Sequence, residues 1–365
     1  MKKVAVIGGG KIGSMIVDLL ANSGDYEVTV ADRSRDQLDR LETTATVERV
    51  QLDITDSKAL EQLLAGKFAV LSAAPYHLTT RIAQAAKAKG AHYLDLTEDV
   101  ASTRFVKDLA VDSKSAFIPQ CGLAPGFITI VAYDLAKHFD TLMDVRMRVG
   151  ALPKYPANAL NYNLTWSTDG VINEYCEPCE AIVNGQLREV PPLEECEEFA
   201  LDGVTYEAFN TSGGLGTLCE TLAGRVRTLN YRTIRYPGHA AIMKALLHDL
   251  RLKDRRGVLK DILEQALPAT MQDVVIVFVT VSGMKDGALQ QQTYARKIYS
   301  HVLAGKMRSA IQITTASSLC AMLDLLAAGR LPSQGFIRQE DLSLPDFLAN
   351  RFGRVFALDE LSKAA

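Results

Sequence analysis

The chain has 365 residues, enough for about two domains at roughly 150 residues each. It is 48% hydrophobic and 23% charged, with 40 Lys and Arg against 43 Asp and Glu for a net charge of −3. That near-balance argues against a nucleic-acid binder, which carries a basic surplus, and against an acidic disordered tail. No stretch approaches the ~18 consecutive apolar residues of a membrane span, and the longest candidate, residues 274–281, has strand length. The first apolar run meets a glycine cluster at Gly8, which leaves no room for a secretory signal. The six cysteines, spread from Cys121 to Cys320, therefore read as reduced thiols of a cytoplasmic protein that engages neither membrane nor nucleic acid.

In chain order, residues 4–7 predict a strand, followed by glycines and a helical spacing through Ile12, Ile16, Leu19 and Leu20. Residues 27–31 predict a second strand, and Leu38 and Leu41 mark a helix. A third strand is expected at 47–52, a third helix at 58–64, a fourth strand at 68–72 and a helix at 79–89. Two more short strands follow at 92–96 and 116–118. Strands alternating with helices of this length mean repeated βαβ units and a parallel sheet. After Gly126 the pattern changes. Strands are predicted at 145–150, 181–184, 206–210, 227–235 and 274–282, separated by polar stretches such as Leu152-Pro153-Lys154-Tyr155-Pro156. Helices are predicted at 242–250 and 256–266, and an apolar helix over 314–328 ends at Gly329. The expected class is α/β, with a Rossmann-type parallel sheet in residues 1–125 and an α+β second domain, its sheet largely antiparallel, in residues 126–313. Residues 314–365 are expected to pack back on the first domain.

Gly8-Gly9-Gly10-Lys11-Ile12-Gly13 fits G-x-G-x-x-G between a strand and a helix, the context in which that pattern binds a dinucleotide. Gly8 permits the tight turn, Gly10 lets the backbone approach a pyrophosphate, and Gly13 allows close helix–strand packing. Lys11 and Ile12 open the helix, whose N-terminal N–H groups suit phosphate. Asp32 ends the second strand, 19 residues beyond Gly13, where a carboxylate accepts from ribose hydroxyls and repels a 2′-phosphate. NAD is the expected cofactor, with NADP left open because Arg33 and Arg35 can hold a phosphate. Asp53 and Ile54 are placed to flank the adenine, although Asp53 also suits a turn or a helix cap. Ala73, Ala74, Pro75 and Tyr76 follow the fourth strand, where ligands sit beyond strand ends.

These features, with Gly122-Leu123-Ala124-Pro125-Gly126, Thr211-Ser212-Gly213-Gly214 and Arg232-Thr233-Ile234-Arg235-Tyr236-Pro237-Gly238-His239, resemble the saccharopine dehydrogenase-like reductases over nearly the whole chain. The resemblance is strongest to the lysine 6-dehydrogenase branch. It implies NAD(P)-dependent oxidation of the amine of lysine or a related amino acid to an imine or aldehyde, with a second domain that carries substrate residues and homodimer contacts. Enzymes that make or cleave saccharopine, and carboxynorspermidine dehydrogenase, are alternatives within the family. A non-catalytic NAD sensor is an alternative outside enzyme chemistry. Gly122 to Gly126 is expected to form the hinge that positions the nicotinamide.

An ammonium carbon is a poor hydride donor, so amine oxidation at neutral pH needs a nearby base. Asp95 and Glu98 lie just past a parallel strand, and His239 has the ordinary titration range of a base. An amino-acid substrate also needs its carboxylate held. Arg235 offers a fork for it, and Thr211, Ser212 and Gly213 offer hydroxyls and backbone N–H groups. Tyr76 is expected to wall the pocket. Cys176 and Cys179 have zinc-like spacing, but no second such pair and no paired histidines accompany them, so no metal is expected.

Overall fold

The computed structural model describes residues 1–41, 43–303 and 305–357. The chain divides into two compact units, one made of residues 1–127 with 312 onward and the other of residues 128–311. Residues 358–365 of the C-terminal stretch expected to return to the first unit lie outside the described residues.

The first unit runs β1 (Lys2–Ile7), α1 (Lys11–Asn22), β2 (Tyr26–Asp32), α2 (Arg35–Asp39), β3 (Glu48–Gln51), α3 (Ser57–Leu64), β4 (Ala69–Ser72), α4 (Thr79–Lys89), β5 (His92–Asp95), α5 (Val100–Ala110) and β6 (Ala116–Ile118). The strands form a parallel sheet in the order β6-β5-β4-β1-β2-β3, and a two-residue strand, Gly335–Phe336, adds in parallel beside β6. Val4, Ala5, Val6, Val70 and Leu71 are fully buried, as strands covered by helices on both faces must be. The helix α5 was not foreseen. Its Asp99 carboxylate accepts from the Ser102 N–H and starts the helix straight after β5.

The second unit runs α6 (Phe127–Ala136), β7 (Thr141–Pro153), α7 (Thr168–Cys176), β8 (Cys179–Val183), β9 (Gln186–Val190), β10 (Glu197–Leu201), β11 (Val204–Asn210), α8 (Leu218–Leu222), β12 (Thr228–Arg235), α9 (His239–Lys244), α10 (Arg256–Ala266), β13 (Asp273–Lys285) and β14 (Ala288–Tyr299). Its sheet has the order β10-β11-β12-β7-β13-β14, with β8 also pairing with β12 and with β9. Pairing is antiparallel except between β12 and β7, which run parallel. Leu152 and Pro153, expected in a loop, are the last residues of β7 and pair with Val274 and Asp273. The strand β14 gave little signal because Gln290, Gln291 and Gln292 break the apolar alternation of this sheet edge. One sheet face packs against α7, α9 and α10 through Val171, Tyr175, Phe209, Met243 and Leu259.

A short hairpin, β15 (His301–Leu303) with β16 (Lys306–Arg308), precedes α11 (Ala310–Ala327). The helix α11 is long and apolar enough to cross a membrane by length and composition alone, but 83% of it is buried inside the protein. Its first turn is held by the buried Asp273 carboxylate, which accepts from the N–H groups of Ala310 at 2.5 Å and Ile311 at 3.0 Å.

In the first unit α1 crosses β1 at a glycine contact. A Cβ on Gly13 would overlap the carbonyl of Gly8, whereas a Cβ on Gly10 would meet nothing within 4 Å. Gly13→Ala is therefore expected to lower unfolding free energy by about 1–3 kcal/mol. Gly10→Ala, a helix N-cap exchange, should cost under about 1 kcal/mol. Urea titration of both variants checks the difference.

Candidate active site

In the parallel sheet β1 lies between β4 and β2, so the chain leaves it in opposite directions and opens a crevice at the strand ends. The Ala73 N–H donates to Ile7 and the Gly8 N–H to Ala31, each at 2.8 Å, drawing the loops after β1 and β4 together. Gly8 has φ +104°, and a Cβ there would meet the Ala73 carbonyl at 2.8 Å. No side chain caps α1 at Gly10, so the first amides of the helix, those of Lys11 and Ile12 among them, lack an intrahelical partner. This open glycine cradle at an uncapped helix start fits a dinucleotide pyrophosphate.

Asp32 stands beside the cradle with each oxygen engaged. Oδ2 accepts from the Gly9 N–H and Oδ1 from the Ser34 N–H, both at 2.7 Å. Arg33 is exposed, and Arg35 pairs with Asp39 at 3.2 Å. Asp53 is exposed, and its Oδ1 accepts from the Thr55 N–H and hydroxyl. Those two bonds, then the Arg33 charge, hold its carboxyl below the usual range. Asp53 is thus also a turn carboxylate. Ile54 packs into the core with Leu52 and Leu60. Ala73 and Ala74 are half-buried after β4, Pro75 is exposed, and Tyr76 follows half-buried with its ring edge-on to His77. Gly122 and Gly126 pair as a tight bridge across a cis Ala124–Pro125 peptide.

Asp95, at the end of β5, is only 1% exposed. Its Oδ2 accepts from the Tyr93 hydroxyl at 2.6 Å, and its Oδ1 from the N–H groups of Thr97 and Gln120. Burial pushes its carboxyl up to about 6 against the pull of those three bonds. These contacts make Asp95 the tie between β5 and the turn after β6, a role its sequence position did not reveal. Glu98 is half-buried, and its carboxyl is raised to about 7 by burial, then by the charges of Asp99 and Asp95. Glu98 therefore changes charge near neutrality, as a proton carrier must.

In the second unit, α7 and β12 bring Tyr175 and Arg235 together. Arg235 is 2% exposed, and its Nε donates to the Tyr175 hydroxyl at 2.9 Å. A guanidinium can only donate. The Tyr175 oxygen therefore accepts, and its own proton goes to His239 Nε2 at 3.1 Å. That leaves Nδ1 of His239 as the protonated nitrogen, donating to the Leu160 carbonyl at 2.9 Å. One chain of donors thus runs from Arg235 through Tyr175 and His239 to the backbone. His239 is corrected as a base of ordinary range, since burial and then the Arg235 charge push it down to about 3. Both ring nitrogens are also engaged.

The Arg235 guanidinium lies 5.0 Å from the centre of the Tyr162 ring. Asn163 Oδ1 and the Thr211 hydroxyl are buried with no hydrogen-bond partner among the described residues, and the buried Tyr162 hydroxyl has Thr165 and Trp166 as its polar neighbours. Ser212 is anchored through its N–H to the Glu174 carbonyl, and Gly213 turns the chain at φ +83°. Glu207, opposite Arg235 in the β11–β12 register, accepts from the N–H groups of Gly238 and Ala240 and so sets the start of α9. Tyr162, Tyr175 and Glu207 carried no signal in the sequence, where a tyrosine before a helix or a glutamate in a strand reads as ordinary packing. Cys176 and Cys179 are buried free thiols, and no group of three or more His, Cys, Asp or Glu that could hold a metal occurs among the described residues.

A parallel sheet with a glycine cradle at its switch point and an aspartate beside it defines a protein of the NAD(P)-binding type. Residues 4–118 match the family model described as the saccharopine dehydrogenase NADP binding domain, and residues 122–354 match the saccharopine dehydrogenase C-terminal domain. The chain belongs to the saccharopine dehydrogenase family. It is 25% identical over 193 residues to the mitochondrial alpha-aminoadipic semialdehyde synthase of Bos taurus, a match over 51% of this chain and 21% of that protein. It is 24% identical over 265 residues to saccharopine dehydrogenase [NADP(+), L-glutamate-forming] of Saccharomyces cerevisiae, over 69% of this chain and 59% of that one. The chain thus spans about a fifth of the first relative and about three fifths of the second. In fold it is similar to the apo saccharopine dehydrogenase (L-Glu forming) of Saccharomyces cerevisiae, with TM-score 0.78, 18% identity and coverage of 98% of this chain and 96% of that one. A homospermidine synthase of Legionella pneumophila in complex with NAD gives TM-score 0.66 at 12% identity, over 97% and 89%. At these identities the structural likeness speaks for the fold alone.

Two outcomes follow from the buried groups. In nitrogen-detected NMR, His239 should stay in the neutral Nδ1–H form between about pH 5 and 8, because its folded range lies far below the ordinary ~6.5. For Asp95 the folded value, raised from 3.8 to about 6, means that the folded state holds a proton more tightly than the unfolded one. Its contribution is present below pH 3.8 and is lost as pH rises through about 6. Asp95→Asn can keep the Thr97 and Gln120 bonds on its oxygen and turn its amide toward Tyr93. Denaturant unfolding of this variant should lack the decline that the wild type shows across that window.

Proposed function

We propose that the protein is an NAD(P)-dependent oxidoreductase that acts on a C–N bond of a small amino acid, with the amine of lysine or a close relative as substrate. The observation that carries this reading is Arg235. It is a charged guanidinium buried in the second unit against the rings of Tyr162 and Tyr175, with the Glu174 charge acting on it. Its fork of donors is used in part by the Tyr175 hydroxyl and the Ile234 carbonyl, and a substrate carboxylate would add acceptors for the remaining N–H groups. The family membership and the names of the relatives support amine chemistry. A second reading, saccharopine as substrate, is favoured by the name of the yeast relative.

The cradle from Gly8 to Gly13 and Asp32 would hold the dinucleotide, which supplies a hydride acceptor when bound. The chain's own residues handle protons and charge. Glu98, in the first unit, can take a proton in its ionised form, above about 7. Arg235, aimed by Tyr175, holds the carboxylate. His239 stays neutral and keeps the Tyr175 hydroxyl turned away from Arg235.

The test is the appearance of reduced-nicotinamide absorbance with purified protein, NAD or NADP, and lysine or saccharopine in turn. Turnover with lysine supports the first reading and turnover with saccharopine the second. Tight dinucleotide binding without turnover of either would point to a non-catalytic sensor. Arg235→Lys should raise KM about ten- to a hundredfold, the equivalent of a charged hydrogen bond of about 1.5–3 kcal/mol. The kcat/KM of the wild type should climb as pH rises through about 7. Glu98→Gln should remove that limb and lower kcat by about 100-fold or more.

A further inference from the structure

We propose that Glu174 is a specificity-determining residue of the second unit, and that with Arg235 it binds the zwitterionic head group of an α-amino acid, the carboxylate on Arg235 and the α-ammonium on Glu174. The proposal rests on the amino-acid reading above and goes beyond it by giving the α-amine a partner of its own. An α-amine held in this way is the handle by which the ligand is gripped, and a second nitrogen of the ligand is left for oxidation.

Three observations carry it. The first is a cluster of buried groups that holds one charge of each sign. Arg235 and Glu174 are 2% and 6% exposed, and Glu174 directly precedes Tyr175, the residue that takes the Arg235 Nε–H. Burial raises the hydroxyls of Tyr162, Tyr175 and Tyr231, and in each the Glu174 charge adds to the rise while the Arg235 charge opposes it. One anion and one cation thus act on the same three tyrosines. The second observation is how the neighbouring groups are used. The acceptors on Arg235, the Tyr175 hydroxyl and the Ile234 carbonyl, are both neutral and leave N–H groups of its fork over. Glu207, which faces Arg235 in the strand register, uses both oxygens on the amides of Gly238 and Ala240. Glu174 is therefore the carboxylate of the cluster that can answer an ammonium. The third is the turn from Thr211 to Gly214. The Ser212 N–H donates to the Glu174 carbonyl at 3.1 Å, and a Cβ on Gly214 would overlap the Tyr231 ring. The turn is thereby pinned between α7 and β12, the elements that carry Glu174 and Arg235. The Thr211 hydroxyl in it is buried with no hydrogen-bond partner among the described residues, and a hydroxyl can donate to a carboxylate or accept from an ammonium. Charges in a buried site are weakly screened. A ligand with a carboxylate alone would set a second anion near Glu174, and one with an amine alone a second cation near Arg235. A zwitterion, whose opposite charges are borne on one carbon, adds neither.

Isothermal titration of the full chain saturated with NADH or NADPH, which lets lysine bind without turnover, tests the proposal. Lysine is compared with ε-aminocaproate, which lacks the α-amine, and with cadaverine, which lacks the carboxylate. Lysine should bind at least about tenfold more tightly than either, the effect of one lost charged hydrogen bond. Glu174→Gln should weaken lysine more than ε-aminocaproate and bring the two within about twofold of each other, a change that a general loosening of the fold would not produce. If saccharopine rather than lysine is the ligand, the same variant should weaken it at least about tenfold. Wild-type binding of ε-aminocaproate as tight as that of lysine would overturn the proposal and leave the amino-acid reading standing. So would a folded Glu174→Gln chain that keeps the full preference for lysine. A variant that does not fold leaves the wild-type comparison to decide. A chain that binds neither lysine nor saccharopine would overturn the amino-acid reading itself, which separates the two failures.

Discussion

The structure depends on one close approach of backbone to backbone. At the end of β1 the chain turns through Gly8, and α1 begins so near the turn that only hydrogen fits on Gly13 against the Gly8 carbonyl. The same turn is drawn against Ala73, at the end of the neighbouring β4. Because strand order reverses around β1, this is where the sheet opens, and the contact decides where free amides can meet a ligand. Asp32 belongs to the same constraint. By accepting from the Gly9 N–H it secures the glycine loop, and it places a negative charge at the rim.

The second unit solves a different problem, how to keep a cation out of water. Arg235 gives its Nε–H to Tyr175, gives one terminal nitrogen to the Ile234 carbonyl and faces the rings of Tyr162 and Tyr175. Direction propagates along this chain because guanidinium only donates, so the tautomer of His239 follows from Arg235 two links away. Glu207 completes the arrangement by holding the first turn of α9, which carries His239, through two backbone amides. The result is a guanidinium fixed between two tyrosine rings, with the Glu174 charge acting on it.

Much of the first unit was legible as a pattern. The strands at 4–7, 27–31 and 116–118 and the helices at 58–64 and 79–89 fall where β1, β2, β6, α3 and α4 lie, because a sheet buried on both faces writes short apolar runs separated by amphipathic turns. The edge of the second sheet was not legible, since β14 is exposed and polar along much of its length. Gly8 and Gly13 were legible as a tight turn and a close helix–strand contact because backbone geometry restricts those positions to few residue types. His239 departs from the ordinary titration range because a histidine after a glycine looks the same in sequence whether it meets water or the core, and only burial separates the two.

By itself the sequence determined the alternation of strands and helices, the glycine spacing that permits a dinucleotide, the acid at the end of β2 and a guanidinium near the end of β12. These are local matters of periodicity, backbone freedom and formal charge. Only the tertiary structure decided which of the charges act. Burial lifted Glu98 to about 7 and Asp95 to about 6, and it silenced His239 by setting it beside Arg235. Long-range pairing put Tyr175 and Glu207 around a residue 60 and 28 positions away. A side chain's charge state depends on how much water surrounds it and which charges lie near it, and both are set by segments distant in sequence.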